Sequence, residues 1–123
     1  MFLQLINHTD RLISDYGDGF VVKVLEYIEC NYKSGTLTEL ADILHFSVSS
    51  LSRGIKLHTG KTYTELVQDK RLSQACFLLE STDIRIDDIA ENTGYENISF
   101  FYRIFKERYG VSPRKYRKDL RTK

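Results

Sequence analysis

One short pattern occurs twice in this chain, and it restricts the fold more than any other feature of the sequence. The stretch from Leu40 to Lys56 reads LADILHFSVSSLSRGIK, and the stretch from Ile89 to Lys106 reads IAENTGYENISFFYRIFK. The aligned anchors of the two copies are Leu40-Ala41 with Ile89-Ala90 and Leu51-Ser52-Arg53 with Phe101-Tyr102-Arg103. Each copy predicts a short helix, a tight turn and a second helix with Arg and Lys on its open face. This is the pattern of a helix-turn-helix, whose second helix fits a DNA major groove.

Two such copies in 123 residues predict an all-α fold in which a linker helix joins two helix-turn-helix subdomains. A homeodomain-like arrangement of about seven helices is expected, because no stretch sustains the alternation of a strand. Residues 1–19 should form an N-terminal segment or linker remnant, and residues 20–61 the first subdomain. Residues 62–81 should form the linker helix, and residues 82–123 the second subdomain with its basic C-terminal helix.

Capping residues set the expected helix ends. Thr36 and Glu39 match a capping box, and Ser47 is a good N-cap for the helix that follows. Gly60 suits a left-handed helix end, and Ser112-Pro113 suits a helix start. The helices are expected near Phe20–Tyr32, from the Thr36 cap to Leu44, from the Ser47 cap to His58, and over Tyr63–Leu79, Ile86–Asn92, Ile98–Tyr109 and beyond Pro113.

Apolar residues at helical spacing predict the buried faces. In the first helix these residues are Val21, Val24, Leu25, Ile28 and Tyr32. In the second helix of each copy, a pair four residues apart should face inward. The first pair is Leu51 and Ile55, with Val48 beside it, and the second pair is Phe101 and Phe105.

The overall composition excludes several classes of protein. The chain is 41% hydrophobic but has no apolar run of about 18 residues, so we expect no membrane contact. Its first residues lack the features of a signal peptide, which predicts a cytoplasmic protein. Cys30 and Cys76 lie in helical apolar patterns and are predicted to be buried free thiols. The scattered histidines and cysteines match no metal site, and nothing indicates a cofactor.

Charge is polarised along the chain although the net charge is only +1. Basic residues dominate from Arg103 to the end, whereas acidic residues gather around residues 10–29 and 83–96. The basic residues are Arg103, Lys106, Arg108, Arg114, Lys115, Arg117, Lys118, Arg121 and Lys123. A concentrated basic surface is typical of a nucleic-acid contact, but a solvated basic tail is the alternative.

The open faces of the two second helices supply the candidate DNA contacts. In the first copy they are Ser47, Ser49, Ser50, Ser52, Arg53 and Lys56, and in the second copy Ile98, Ser99, Tyr102, Arg103 and Lys106. Serines near a helix start allow close approach and can donate to phosphates. Arg53 and Arg103 can each donate two parallel hydrogen bonds to a guanine edge, and Ile98 can contact a thymine methyl.

From about Val22 to Arg117 the chain resembles the DNA-binding domain of the AraC/XylS family of bacterial transcription regulators. The motifs that carry the resemblance are Gly60-Lys61, Arg71-x-x-x-Ala75-x-x-Leu78-Leu79, Ile89-Ala90, Gly94-Tyr95, Phe101, Arg103, Phe105-Lys106, Tyr109-Gly110-Val111-Ser112-Pro113 and Tyr116-Arg117. The resemblance implies two helix-turn-helix units that bind adjacent major grooves on double-stranded DNA. It implies base-facing roles for Ser49, Ser52 and Arg53, and for Ile98, Ser99, Tyr102 and Arg103.

The resemblance also implies a longer, effector-responsive regulator, in which Arg71 makes a structural salt bridge rather than a DNA contact. Contact with RNA polymerase, and a homodimer formed through a domain outside this chain, are left open. Three positions depart from the family pattern: His45 replaces a turn glycine, Gly54 replaces a large apolar residue, and Arg85 replaces a capping Ser or Thr.

Sequence-specific DNA binding has two alternatives from other function classes. The same outward residues could belong to a helical protein-interaction module that contacts the transcription machinery without base readout. An enzyme is not expected, since no nucleophile–base pair or phosphate-cradling glycine loop is present. Asp87-Asp88 is best explained as the acidic first turn of a helix.

Overall fold

The computed structural model describes residues 19–121, and this part of the chain is a series of helices. They are α1 Phe20–Asn31, α2 Leu37–Leu44, α3 Val48–Thr59, α4 Tyr63–Ser81, α5 Ile86–Asn92, α6 Ile98–Tyr109 and α7 Pro113–Arg121. The all-α, two-helix-turn-helix fold expected from the sequence is confirmed. Of the N-terminal segment predicted over residues 1–19, residues 1–18 lie outside the described residues.

The chain divides into two compact units. Unit 1 contains α1, α2, α3 and the beginning of α4, up to Leu66. Unit 2 contains the rest of α4 from Val67, together with α5, α6, α7 and the short loop Tyr32–Ser34. The helix α4 therefore contributes residues to both units.

The core of unit 1 forms where α1, α2 and α3 bury their apolar faces. Its fully buried hydrophobic residues are Phe20, Val24, Tyr27, Ile28, Leu40, Ala41, Leu51 and Ile55. The prediction for α1 was wrong at Leu25, which is 45% exposed, because Phe20 and Tyr27 fill the core instead. Val48 is also 42% exposed, although it was predicted to face inward. Val48 is the first residue of α3, and the buried face of this helix begins only at Leu51.

The start of α2 depends on a buried tyrosine. The Thr36 hydroxyl accepts a hydrogen bond from the Glu39 amide at 3.1 Å, as a capping box requires. The reciprocal bond of a capping box would join the Thr36 amide to the Glu39 side chain. Here the Thr36 amide donates to the Tyr27 hydroxyl instead, at 3.0 Å. That hydroxyl in turn donates to the Glu39 carboxylate. The predicted capping box is therefore only half formed, and Tyr27 supplies the missing acceptor.

The turn of the first helix-turn-helix has a left-handed residue. His45 ends α2 with φ 63°, a conformation that costs a non-glycine residue some strain. Ser47 then caps α3 by accepting the Ser50 amide at 3.1 Å. Gly60 ends α3 with φ 79°, as the sequence predicted.

The core of unit 2 is built from α4, α5 and α6 around aromatic rings. Its buried members are Leu72, Ala75, Leu79, Ile89, Ala90, Tyr95, Phe101 and Phe105. Phe105 lies at its centre, with ring centroids 5.8 Å from Phe101, 4.6 Å from Tyr109 and 5.5 Å from Tyr116. Such rings stabilise a core by the area they bury and by tilted contacts between them.

The turn of the second helix-turn-helix packs closely against the loop Tyr32–Ser34. Gly94 has φ 103°, and a Cβ at this position would lie 2.8 Å from the Lys33 carbonyl oxygen. Arg71 donates to the carbonyls of Tyr32 at 2.7 Å and Lys33 at 3.0 Å, and its guanidinium lies 5.2 Å from the Tyr95 ring centroid. Arg71 is therefore structural, but its partners are backbone carbonyls rather than the predicted salt bridge.

The helices of unit 2 begin and end much as predicted. Arg85 precedes α5 without a side-chain cap, and Asp87 and Asp88 lie in its first turn. Asn97 caps α6 by accepting the Phe100 amide at 3.0 Å, which the sequence analysis did not identify. Gly110 ends α6 with φ 80°.

The prediction of buried cysteines was wrong for Cys30, which is exposed, and Cys76 is only half-buried. Cys30 lies on the solvent side of α1, whose core face is taken by Tyr27 and Ile28. Within residues 19–121, no helix is both long enough and apolar enough to cross a lipid bilayer.

Replacing Gly35 by Ala should destabilise unit 1. The added Cβ would lie 2.6 Å from the Tyr27 hydroxyl and 2.7 Å from the Asn31 carbonyl oxygen, which are too close for carbon. We expect the free energy of unfolding to fall by about 1–3 kcal/mol, the range of overpacked sites. Urea unfolding measures this free energy, and S34A, which changes the exposed neighbouring residue, is the control. Equal stability of G35A and wild type would contradict this account of the turn.

Stability should fall as the pH rises from 10 to 12. Burial, and then the hydrogen bond to Glu39, raise the pKa of Tyr27 from 10.0 to about 12. In that window the unfolded chain has lost the tyrosine proton and the folded chain keeps it, so the free energy of unfolding decreases with pH. Denaturant unfolding at pH 9 and 11.5 measures this fall, and Y27F should show a smaller one. Equal falls for Y27F and wild type would exclude Tyr27 as a cause.

Candidate nucleic-acid interface

The second helix of the first helix-turn-helix, α3, presents a polar face opposite its buried pair. Leu51 and Ile55 are fully buried, and Gly54 is buried between them. The residues exposed on α3 include four of the predicted DNA contacts, Ser49, Ser52, Arg53 and Lys56. Burial of one side of the helix therefore leaves its serines and cations facing solvent.

Three of the DNA contacts predicted in the first copy, Ser47, Ser50 and Lys56, have additional or different roles in the structure. Ser47 is exposed, but its hydroxyl is already the N-cap of α3. Ser50 is half-buried, unlike the outward position predicted for it. The Lys56 ammonium donates to the Gly60 carbonyl at 3.2 Å, at the helix end where cations are favoured. Ser49, Ser52 and Arg53 remain as the open polar surface of α3.

The second helix of the second helix-turn-helix, α6, repeats this arrangement. Phe101 and Phe105 are fully buried, whereas Ser99, Arg103 and Lys106 are exposed. Ile98, at the first turn, is 37% exposed, as expected for a side chain that could contact a base methyl. The two helices thus present an arginine and a lysine at equivalent positions of their open faces.

Tyr102 lies differently from its predicted outward position. It is half-buried, packs against the core of unit 2, and its hydroxyl donates to the Asp87 carboxylate at 3.4 Å. Burial first, and then the charge and the hydrogen bond of Asp87, raise the pKa of Tyr102. The side chain is thereby held toward α5, at the edge of the open face.

Several cations of the basic C-terminal region stabilise unit 2 instead of facing solvent freely. Arg117 donates to the carbonyls of Leu79 at 3.2 Å, Thr82 at 3.1 Å and Ile84 at 2.7 Å. Arg121 pairs with Asp83 at 2.6 Å, and Arg108 pairs with Asp69 at 2.9 Å. The sequence could not separate these structural cations from surface ones, because their carbonyl and carboxylate partners are distant in the chain.

Besides Arg121, which pairs with Asp83, the exposed cations of α7 are Arg114, Lys115 and Lys118. Lys115 pairs with Asp119 one turn along the helix, at 3.3 Å. Such an exposed pair contributes little to stability and is screened by salt. The positive surface of unit 2 is therefore concentrated on α6 and on the first turns of α7.

The described residues show no metal-binding arrangement. Between residues 19 and 121, no three His, Cys, Asp or Glu side chains come together as a potential ligand set. The exposed faces of α3 and α6 contain serines, arginines and lysines. This combination of a buried helix pair and an open basic second helix defines a helix-turn-helix DNA-binding protein.

A helix-turn-helix domain family matches residues 40–119 of the chain. The chain belongs to the AraC/XylS family of DNA-binding transcription regulators. The resemblance found in the sequence motifs is therefore confirmed.

Known relatives and solved structures are similar to this chain over most of its length. The xylose operon regulatory protein of Haemophilus influenzae is 31% identical over 93% of this chain and 33% of its own length. The C-terminal domain of AraT, a response regulator from Geobacillus stearothermophilus, is 36% identical with a TM-score of 0.75, covering 80% of this chain and 84% of that one.

The DNA-binding domain of AdpA, solved in complex with a target DNA, has a TM-score of 0.77 and covers 86% of this chain and 96% of that one. At 24% identity, this likeness shows the fold alone. The chain spans only 33% and 29% of two xylose operon regulatory proteins, those of Haemophilus influenzae and Escherichia coli K12.

Replacing Arg117 by Ala should destabilise unit 2. Three backbone carbonyls would lose a charged donor, and we expect the free energy of unfolding to fall by about 2 kcal/mol. R114A is the matched control, since it removes the same charge from an exposed position and should change stability by less than about 0.5 kcal/mol. Thermal and urea unfolding of both variants measure the difference. Equal losses in R117A and R114A would show that Arg117 acts only through its charge.

Proposed function

We propose that this chain is a sequence-specific DNA-binding module that inserts α3 and α6 into two adjacent major grooves. The observation that carries the proposal is the pair of open helix faces, each with an exposed arginine one turn from an exposed serine. Ser49 and Ser52 lie near Arg53 on α3, and Ser99 precedes Arg103 on α6. A helix reads base edges through such side chains near its first turns.

Each predicted contact has a distinct proposed role. Arg53 and Arg103 donate to guanine edges, Ile98 contacts a thymine methyl, and Ser49, Ser52 and Ser99 contact bases or phosphates at close range. Lys56 and Lys106 donate to backbone phosphates. Ser47 and Ser50 support the first turn of α3 and can approach a phosphate through that turn. Tyr102 donates at the edge of the α6 face, next to Asp87.

The two faces differ in chemistry, so the proposed target is asymmetric. The first turn of α3 is rich in serine, whereas that of α6 presents Ile98 and Ser99. Two different recognition helices read two different half-sites, so the operator need not be a palindrome. The domain boundaries proposed with this function are residues 20–61, 62–81 and 82–123.

We propose further that the chain acts in the cytoplasm as the DNA-binding part of a longer, effector-responsive regulator. Two curated relatives that are regulators are about three times longer than this chain, which supports that proposal. A homodimer through a further domain and a contact with RNA polymerase belong to the same proposal. The alternative of a helical module that binds protein without base readout is not favoured by the family.

Affinity for duplex DNA should decrease steeply with salt. Each phosphate neutralised by Lys or Arg releases counterions, so a chain with several phosphate contacts loses orders of magnitude in affinity between about 50 and 200 mM salt. Fluorescence anisotropy with a labelled duplex measures the slope. Salt-independent binding, or capture of a protein partner without any duplex binding, would contradict the proposed function.

Removing Arg103 should reduce specific affinity by about ten-fold, the size of a lost bidentate contact to guanine. R53A should also reduce specific affinity, but through a contact to a different base pair. K23A is the matched control, since it removes an exposed cation from α1, which is not a recognition helix. Anisotropy titration on the selected duplex and on a random duplex measures both specific and non-specific binding. An R103A loss no larger than that of K23A would contradict the assigned role.

A further inference from the structure

The two recognition helices differ at the residue that precedes each arginine by three positions. This residue is Ser50 before Arg53 and Phe100 before Arg103. Residues three apart on a helix are neighbours on its surface, so this position can contact the arginine directly. The two copies therefore differ in the neighbour of the arginine. At this position Arg103 has a phenylalanine, whereas Arg53 has a serine.

In unit 2 the arginine lies on that ring. The Arg103 guanidinium carbon is 5.1 Å from the Phe100 ring centroid, within the range of a cation–π contact. Arg103 is exposed, and no ion pair within residues 19–121 involves it. The ring is therefore the partner that positions its guanidinium.

The ring itself is held in place. Phe100 is half-buried and packs against the core of unit 2, with its centroid 6.2 Å from that of Tyr95. Its backbone amide donates to the Asn97 side chain at 3.0 Å, which fixes the first turn of α6. Tyr95 is buried and also contacts the Arg71 guanidinium at 5.2 Å. Phe100 thus offers a fixed surface rather than a mobile one.

Among the described residues of unit 1, no ring lies against Arg53. The Ser50 amide donates to the Ser47 hydroxyl, and a serine side chain has no ring that could contact Arg53. No ion pair or ring contact of Arg53 occurs within the described part of the chain. Arg53 therefore keeps the rotamer freedom of a solvated arginine.

Holding a guanidinium before binding has a thermodynamic consequence. A free arginine carries about 2 kcal/mol of rotamer entropy, part of which is lost when it binds one base in one geometry. A ring under the guanidinium face restricts that freedom in advance. The N–H donors lie in the guanidinium plane, so stacking leaves them available for a guanine edge.

We propose that Phe100 is a positioning residue that holds Arg103 for base readout, so that the second helix-turn-helix is the more discriminating of the two. This proposal rests on the proposed function, since it concerns the same DNA-reading face.

The first test uses the free protein, without DNA. Ring currents should shift the NMR signals of the Arg103 side chain, which are assigned by comparison with R103A. F100L keeps the apolar bulk and removes the ring, so it should abolish the shift, whereas F100Y should keep it. S50A, the matched change in unit 1, should leave the Arg103 signals where they are. An Arg103 shift that survives in F100L would overturn the contact.

The second test measures discrimination. A duplex is selected from a random pool with the wild-type protein, and the base pair read by Arg103 is the one at which R103A loses preference. We expect F100L to lower the affinity ratio between this duplex and its variants at that base pair by about two- to five-fold, the size of an exposed cation–π contact. F100Y should retain the ratio, and K23A, which changes an exposed residue of α1, should leave it unchanged.

A double variant separates positioning from general destabilisation. In the R103A background, F100L should cause no further loss of discrimination at that base pair. An additional loss there, failure of F100Y to rescue, or an unchanged ratio in F100L would overturn the positioning role while leaving DNA binding intact. A wild-type protein that enriches no duplex would instead contradict the proposed function, and the positioning role with it.

Discussion

Burial of two apolar side chains four residues apart sets the orientation of each recognition helix. In α3 these are Leu51 and Ile55, and in α6 they are Phe101 and Phe105, all fully buried. Burying such a side chain contributes about 1.5–3 kcal/mol, so rotating either helix about its axis would expose apolar area at a large cost. The opposite face, with Arg53 or Arg103, is therefore held toward solvent by the core and not by its own contacts.

The same constraint explains what the sequence could and could not predict. The repeated pattern predicted the helix order and the inward pairs, because apolar residues at three- and four-residue spacing occur in both copies. The left-handed Gly60 end of α3 was also predicted from a local signal. These features depend on residues close together in the chain, where spacing alone determines the geometry.

Several of the wrong predictions involve partners that are distant in the chain, whereas those at Leu25 and Val48 are local to one helix. Leu25 was placed in the core from its spacing, but Phe20 and Tyr27 occupy that side of α1, and Tyr27 also supplies a bond expected from the capping box. Arg117 appeared to be part of a basic surface, yet its donors contact carbonyls at the end of α4 and in the loop that follows. Periodicity identifies a helix face but not which long-range acceptor a side chain reaches.

The proposed function requires that both helices read DNA, each through its own arginine. Selection of bound duplexes from a random pool, carried out in parallel with wild type, R53A and R103A, tests this most directly. The wild-type protein should enrich an asymmetric motif with two blocks, and each variant should lose sequence preference in a different block. Enrichment of the unchanged wild-type motif by both variants would contradict it.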